Sequence, residues 1–151
     1  GAGVMCDLYR ALVELPAAQA GYRTLITEVL AADGATLFHC MAGQDRTGWG
    51  AAVLLTLVGV PPEDVRRDYL LSVRRLREKH ERLLAADVAR FAPVGVREEH
   101  LAPLYWARDA YLDAAFEHAA RLYGSFAGYA ERVLGMDEGG IAALRARLLE
   151  P

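Results

Sequence analysis

The sequence predicts an α/β fold, mostly helical, with one clear strand that leads into a tight loop. Three observations carry that expectation. Apolar residues recur at helical spacing along most of the chain. One short apolar run, Leu37 and Phe38, stands apart from them and reads as a strand over residues 36–39. The loop after it, 40–46, opens directly into a strongly apolar helix over 49–58.

In chain order, Val4, Met5, Leu8, Leu12, Val13 and Leu15 predict a first helix, which Pro16 stops or restarts. A second follows over 17–32, with Tyr22, Leu25, Ile26, Val29 and Leu30 on its apolar side, and Asp33-Gly34 closes it as a turn. After the strand, the loop and the buried helix, Gly59 ends that helix. Pro61-Pro62-Glu63-Asp64 starts the next, over 62–84, with carboxylates in its first turn. Its basic face (Arg66, Arg67, Arg74, Arg75, Arg77, Lys79, Arg82) is interleaved with Glu78 and Glu81 and reads as a solvated surface. Residues 86–102, with Pro93 and Gly95, read either as a lid or as a plain helix connection. A long helix is expected over 103–123, with Leu104, Tyr105, Tyr111, Leu112, Ala115, Ala119 and Leu122 on its core stripe. Gly124 caps it, Ser125 starts a short helix to Leu134 that Gly135 caps, and Asp137 begins a terminal helix.

Chemistry concentrates in the loop. Cys40 stands at the end of the strand and Arg46 at the start of the helix, with five residues between them. Backbone N–H groups of a loop this short, Met41, Ala42, Gly43, Gln44 and Asp45, can turn inward as a nest for an anion, and the helix N-terminus adds positive potential. Arg46 offers a planar fork that matches two phosphate oxygens. The same field favours the Cys40 thiolate, the nucleophilic form. Gly43 permits backbone angles closed to other residues, Gly48 permits close helix–strand packing, and Thr47 can offer its hydroxyl to the sulfur.

The full string His39-Cys40-x-Ala42-Gly43-x-Asp45-Arg46-Thr47-Gly48 resembles the signature of cysteine-dependent phosphatases, most closely that of a bacterial tyrosine-phosphatase family. The likeness continues through Gly59-Val60-Pro61, Asp68-Tyr69-Leu70-Leu71-Ser72 and Tyr123-Gly124-Ser125-Phe126, covering most of the chain between Asp7 and Leu149. It implies a cysteine-phosphatase-like fold. It also implies that family members carry a further segment ahead of the matching part, which supplies the other strands. A lone strand needs neighbours, so residues 1–151 are expected to be a single, partial domain, with the sheet completed by another segment or by a homodimer.

The activity so implied is hydrolysis of phosphotyrosine monoesters through a phosphocysteine intermediate, on a phosphorylated protein or a small phosphate ester. Cys40 would be the nucleophile, Arg46 would bind phosphate, and neither cofactor nor metal would be required. Leaving-group protonation needs an acid. The Trp-Pro-Asp tripeptide used by many tyrosine phosphatases is absent, and Asp45 is the in-chain carboxylate that the sequence puts near the phosphate. Asp45 is either that acid or a structural acceptor for loop N–H groups. His39 is expected to order the loop, and His80, His100 and His118 to be surface or helix residues without metal-ligand spacing. Position 44, usually Lys in the family, is Gln44, which weakens the case for multiply phosphorylated inositol lipids and leaves phosphotyrosine in the lead. Three alternatives stand beside this reading: a phosphate-binding fragment or pseudophosphatase without turnover, a dual-specificity or phosphoinositide phosphatase, and an oxyanion reductase. The last would need resolving cysteines near Cys40, whereas Cys6 lies far off in sequence and reads as a small core residue.

Composition narrows the classes further. With 54% hydrophobic and 25% charged residues the chain is globular material, and a net charge of −3 argues against a general nucleic-acid binder. No apolar run approaches the ~20 residues of a membrane span, and no signal peptide is visible. Two cysteines make no disulfide framework. A catalytic thiol suits the cytoplasm, with secretion open because some members of the resembling family act outside their cell.

Overall fold

The computed structural model describes residues 1–149. Eight α-helices make up the described chain: α1 (Ala2–Glu14), α2 (Pro16–Ala31), α3 (Asp45–Val58), α4 (Pro62–Phe91), α5 (Glu98–Tyr105), α6 (Asp109–Tyr123), α7 (Phe126–Leu134) and α8 (Glu138–Leu148), with a 3-10 turn at Ala92–Val94. The expected α/β fold is therefore not what forms. Among the described residues there is no strand and no sheet.

The physical reason lies in what defines a strand. Residues 35–40 run without helical structure, but among the described residues no strand pairs with them, and the backbone of 35–39 joins in no backbone hydrogen bond. A ladder, rather than local extension alone, makes a strand. This segment is held from its two ends. Phe38 packs against the core, and the Arg147 guanidinium donates to the carbonyls of Ala32 (2.7 Å) and Gly34. Leu37 is left 90% exposed.

α3 is the centre of the molecule. Trp49, Ala52, Val53, Leu54, Leu57 and Val58 are all buried, so the helix is apolar nearly all round, as a core helix should be. α1, α2, α4 and α8 surround it, and α1 also lies along α6. Trp49 meets the ring of Phe116 edge-on at 5.0 Å and that of Tyr129 at 6.2 Å, tying α3 to α6 and α7. Gly59, with φ +93°, ends α3 as the sequence predicts. Ser125 Oγ and Asp137 Oδ1 cap α7 and α8, accepting from Gly128 N–H (2.9 Å) and Gly140 N–H (2.8 Å).

Several boundaries differ from expectation. α4 continues past 84 to Phe91 and, at 30 residues, is roughly 45 Å long. The single helix expected over 103–123 is two. α5 stops at Tyr105, Trp106 and Arg108 are extended, and α6 restarts at Asp109. Leu104 and Leu122, placed on its core stripe by spacing, are both exposed. Arg66 on α4 is not simply solvated, since it pairs with Asp113 and Asp109 of α6. His80 and His118 are buried, each 5% exposed. His80 packs edge-on against Tyr105 and Trp106, and His118 lies between Glu14 (2.7 Å) and Arg121 (2.9 Å). No helix of the described residues is long and apolar enough to cross a membrane.

Candidate active site

The loop 41–44 joins the extended segment to α3, and its shape follows from Gly43. At φ +76° this residue occupies the left-handed region. The turn carries the Gly43 N–H back toward Cys40, where it donates to Sγ at 3.2 Å. A Cβ here would meet no atom within 4 Å, so the requirement for glycine is conformational and not one of space.

Partial burial would by itself raise the Cys40 thiol. It is outweighed by the donors around the sulfur, the Thr47 hydroxyl first and then the backbone N–H groups of Thr47, Gly43 and Ala42, and the thiol is lowered to about 7; of these, the Gly43 N–H makes a hydrogen bond of ordinary geometry. Thr47 Oγ1 is itself buried, has no hydrogen-bond partner among the described residues, and lowers the thiol by its nearness to the sulfur. Two of these groups belong to the loop and two to the first turn of α3, whose N–H groups have no intrahelical acceptor. A sulfur that draws donors in this way occupies the place an anion would take.

Arg46 is exposed, and none of the ion pairs among the described residues involves it. Its main chain is fixed instead: the Tyr22 hydroxyl, on α2, donates to the Arg46 carbonyl at 3.0 Å. His39 is exposed and its Nδ1 lies 3.0 Å from the Cys40 carbonyl, which requires the tautomer protonated at Nδ1. Met41 is 89% exposed and contributes backbone only. Gln44 is 2% exposed, with Oε1 unpartnered, and its carbonyl accepts the Gly48 N–H at 2.9 Å.

Asp45 is the first residue of α3, and its carboxylate bonds a side chain from another helix. Tyr9 Oη, from α1, donates to Asp45 Oδ1 at 3.0 Å and lies 2.7 Å from Tyr69 Oη, from α4. Gly48, expected to admit a strand, admits this Tyr69 ring: a Cβ there would lie 2.9 Å from Tyr69 Cδ2.

Two cavities flank the loop. One, of about 300 Å³, is lined mainly by apolar side chains of α1 and α2, including Leu12, Ala18 and Leu25, and ends at Phe38, Cys40 and Arg46. The other, of about 280 Å³, lies between Gly43, Gln44 and the Asp68, Ser72 and Arg75 face of α4. Neither takes a residue from 86–102, the segment expected to be a lid or a connection. No cluster of three or more His, Cys, Asp or Glu suited to a metal occurs among the described residues.

The structure thus places donors of Ala42, Gly43 and Thr47 around the Cys40 sulfur, with Arg46 on the wall of the apolar cavity, while Gln44 is buried and the half-buried Asp45 carboxylate meets Tyr9 through Oδ1. The sequence puts Tyr22 on an apolar helix face and gives none of Tyr9, Tyr22 and Tyr69 a role at the loop. Tyr69 lay within a quoted motif, but nothing in the order of residues ties Tyr9 to a loop 36 positions away.

A model of the tyrosine phosphatase family matches residues 1–150. A Cupriavidus necator protein, named as a tyrosine-protein phosphatase, is 38% identical over 113 residues, covering 75% of this chain and 39% of that protein. The triple specificity protein phosphatase PtpB of Mycobacterium tuberculosis is 32% identical over 156 aligned positions, covering 96% of this chain and 54% of PtpB. A tyrosine-protein phosphatase of Nostoc commune is 52% identical over 44 residues, which is 29% of this chain and 15% of that protein. The chain therefore spans about half the length, or less, of the curated relatives it matches. With its sulfur-centred loop and a family match along nearly its whole length, the chain belongs to the tyrosine phosphatase family.

Proposed function

We propose that this chain carries the nucleophile and phosphate cradle of a cysteine-dependent tyrosine phosphatase. The observation that supports it most is the loop turned back on Cys40, with the Gly43 N–H bonded to Sγ and the Ala42 and Thr47 donors lowering the thiol to about 7, six positions before the exposed fork of Arg46. In this reading the Cys40 thiolate attacks phosphorus, an S–P bond forms as the P–O bond to the leaving oxygen breaks, and Arg46 with the loop N–H groups holds the equatorial oxygens. Asp45 gives the leaving oxygen its proton. Water then attacks phosphorus, returning phosphate and thiolate, and Asp45 takes back a proton. The apolar cavity that ends at Cys40 and Arg46 suits the ring of an aryl phosphate, which favours phosphotyrosine.

The relative named for triple specificity makes phosphoserine and phosphoinositide substrates worth running beside the aryl ester. We place the activity in the cytoplasm, where a thiol near neutrality stays reduced. We also propose that a second copy of the chain, or a further segment, covers residues 35–39, whose backbone groups have no backbone partners among the described residues.

The test is hydrolysis of p-nitrophenyl phosphate by this chain and by Cys40→Ser, with and without a chelator. Turnover that survives the chelator and disappears in Cys40→Ser is the expected result. Phosphate binding without turnover would replace the enzyme reading with that of a binding module.

A further inference from the structure

Three tyrosines from three helices meet beneath the start of α3. Tyr9 (α1) is fully buried and Tyr69 (α4) is 3% exposed. Their rings meet edge-on at 6.2 Å, and the Tyr111 ring (α6) supports Tyr9 at 5.8 Å. The Tyr111 hydroxyl is engaged elsewhere, donating to the Pro103 carbonyl at 2.9 Å. That leaves a chain of three polar groups: Tyr69 Oη, Tyr9 Oη and Asp45 Oδ1.

The direction of the protons in this chain is fixed by counting. Each phenol has one hydrogen, and an ionised carboxylate can only accept. Tyr9 gives its hydrogen to Asp45, so its contact with Tyr69 must use the Tyr69 hydrogen. Burial raises the pKa of both phenols, so they remain neutral donors across the working range. With Oδ1 occupied by an incoming donor, a proton carried by Asp45 resides on Oδ2. Because the Tyr9 ring packs against two others, its hydroxyl holds Oδ1 in one place and so sets which way Oδ2 is turned.

We propose that Tyr9 and Tyr69 are positioning residues, which determine the oxygen from which Asp45 delivers its proton during phosphoryl transfer. This rests on the acid role given to Asp45 under the proposed function. It adds that the acid is oriented from the core of the fold and not from the loop. Tyr69 acts on Asp45 through Tyr9, and Gly48 is what allows the Tyr69 ring to come close enough to do so.

The test exploits leaving-group chemistry. A poor leaving group such as phenol needs the acid, whereas dinitrophenolate departs without it. Tyr9→Phe keeps the clamped ring and removes the hydroxyl alone. In kcat/KM, which reports formation of the phosphoenzyme, we expect Tyr9→Phe to lose about tenfold or more on phenyl phosphate and less than about twofold on dinitrophenyl phosphate. Tyr69→Phe should show the same asymmetry to a smaller extent and carries the test if Tyr9→Phe does not fold. In an Asp45→Asn background neither substitution should cost anything further. Equal losses on both esters, or none on either, would overturn the inference while leaving the thiol mechanism in place. A wild-type chain that turns over neither ester would overturn the proposed function, and this inference with it.

Discussion

Gly48→Ala puts the packing beneath the loop to a direct test. In an exposed helix the change from Gly to Ala stabilises by roughly 1 kcal/mol. Here the new Cβ would sit 2.9 Å from Tyr69 Cδ2 and 3.0 Å from Cε2, closer than ordinary van der Waals contact. The ring cannot withdraw freely, because its hydroxyl is bonded at 2.7 Å to the buried Tyr9 and its edge rests on the Tyr9 ring. Overpacking of this kind costs about 1–3 kcal/mol. Setting the two against each other, the upper part of that range should win, for a net loss of roughly 1–2 kcal/mol. In a chain of this size that corresponds to a fall in Tm of about 3–6 °C. The control is Gly21→Ala in α2, where a Cβ would meet nothing within 4 Å and the same chemical change should stabilise by roughly 0.5–1 kcal/mol. Thermal melts followed by circular dichroism read both. If Gly48→Ala melted above the wild type, as Gly21→Ala should, the close approach of α3 and α4 would be wrong.

Two further outcomes follow from the site. Because hydrogen bonding holds the Cys40 thiol at about 7, alkylation by iodoacetamide in a Cys6→Ser background should accelerate as pH rises and level off above that value; the folded pKa is depressed, so the linked stability is present above the unfolded thiol's range and is lost as pH falls through 7. A rate still climbing steeply at pH 9 would rule this out. Arg46→Lys exchanges a fork for a point charge and should weaken phosphate or vanadate binding by about tenfold. Since Arg46 is exposed and in no ion pair among the described residues, its replacement should leave the melt within about 0.5 kcal/mol of the wild type, which calorimetry with and without vanadate can separate.

The loop was legible in the sequence because its physics is local. A left-handed Gly43, a thiol three residues before it and a helix start two residues after it all lie within one turn of chain. Helix ends were legible for the same reason: Gly59, Gly124 and Gly135 take positive φ, and Ser125 and Asp137 cap through their own side chains. The strand was not, because extension is local but pairing is not, and residues 36–39 find no neighbour among the described residues. Apolar spacing over 103–123 also carries no trace of the break at Trp106, whose ring packs edge-on against the buried His80 of α4. His118 lies on a helix, one of the two expectations for it, but its burial is not legible, since its bonds run to residues 104 and 3 positions away, one of them out of reach of any sequence window. The same separation hid Tyr9, whose partner Asp45 meets it only once α1 and α3 have packed.

The burial of α3 makes reactivity and stability properties of one object. The helix whose N-terminal N–H groups attract charge to the sulfur is also the helix whose Trp49, Val53 and Leu57 fill the centre of the protein. Its dipole acts through apolar surroundings, where a partial charge is felt more strongly than in water. Loosening the interior would let water in around α3 and weaken that field before the chain came apart. Substitutions deep in the core should therefore change how readily Cys40 ionises, and the ionisation of a single sulfur becomes a gauge of how tightly the whole interior is closed.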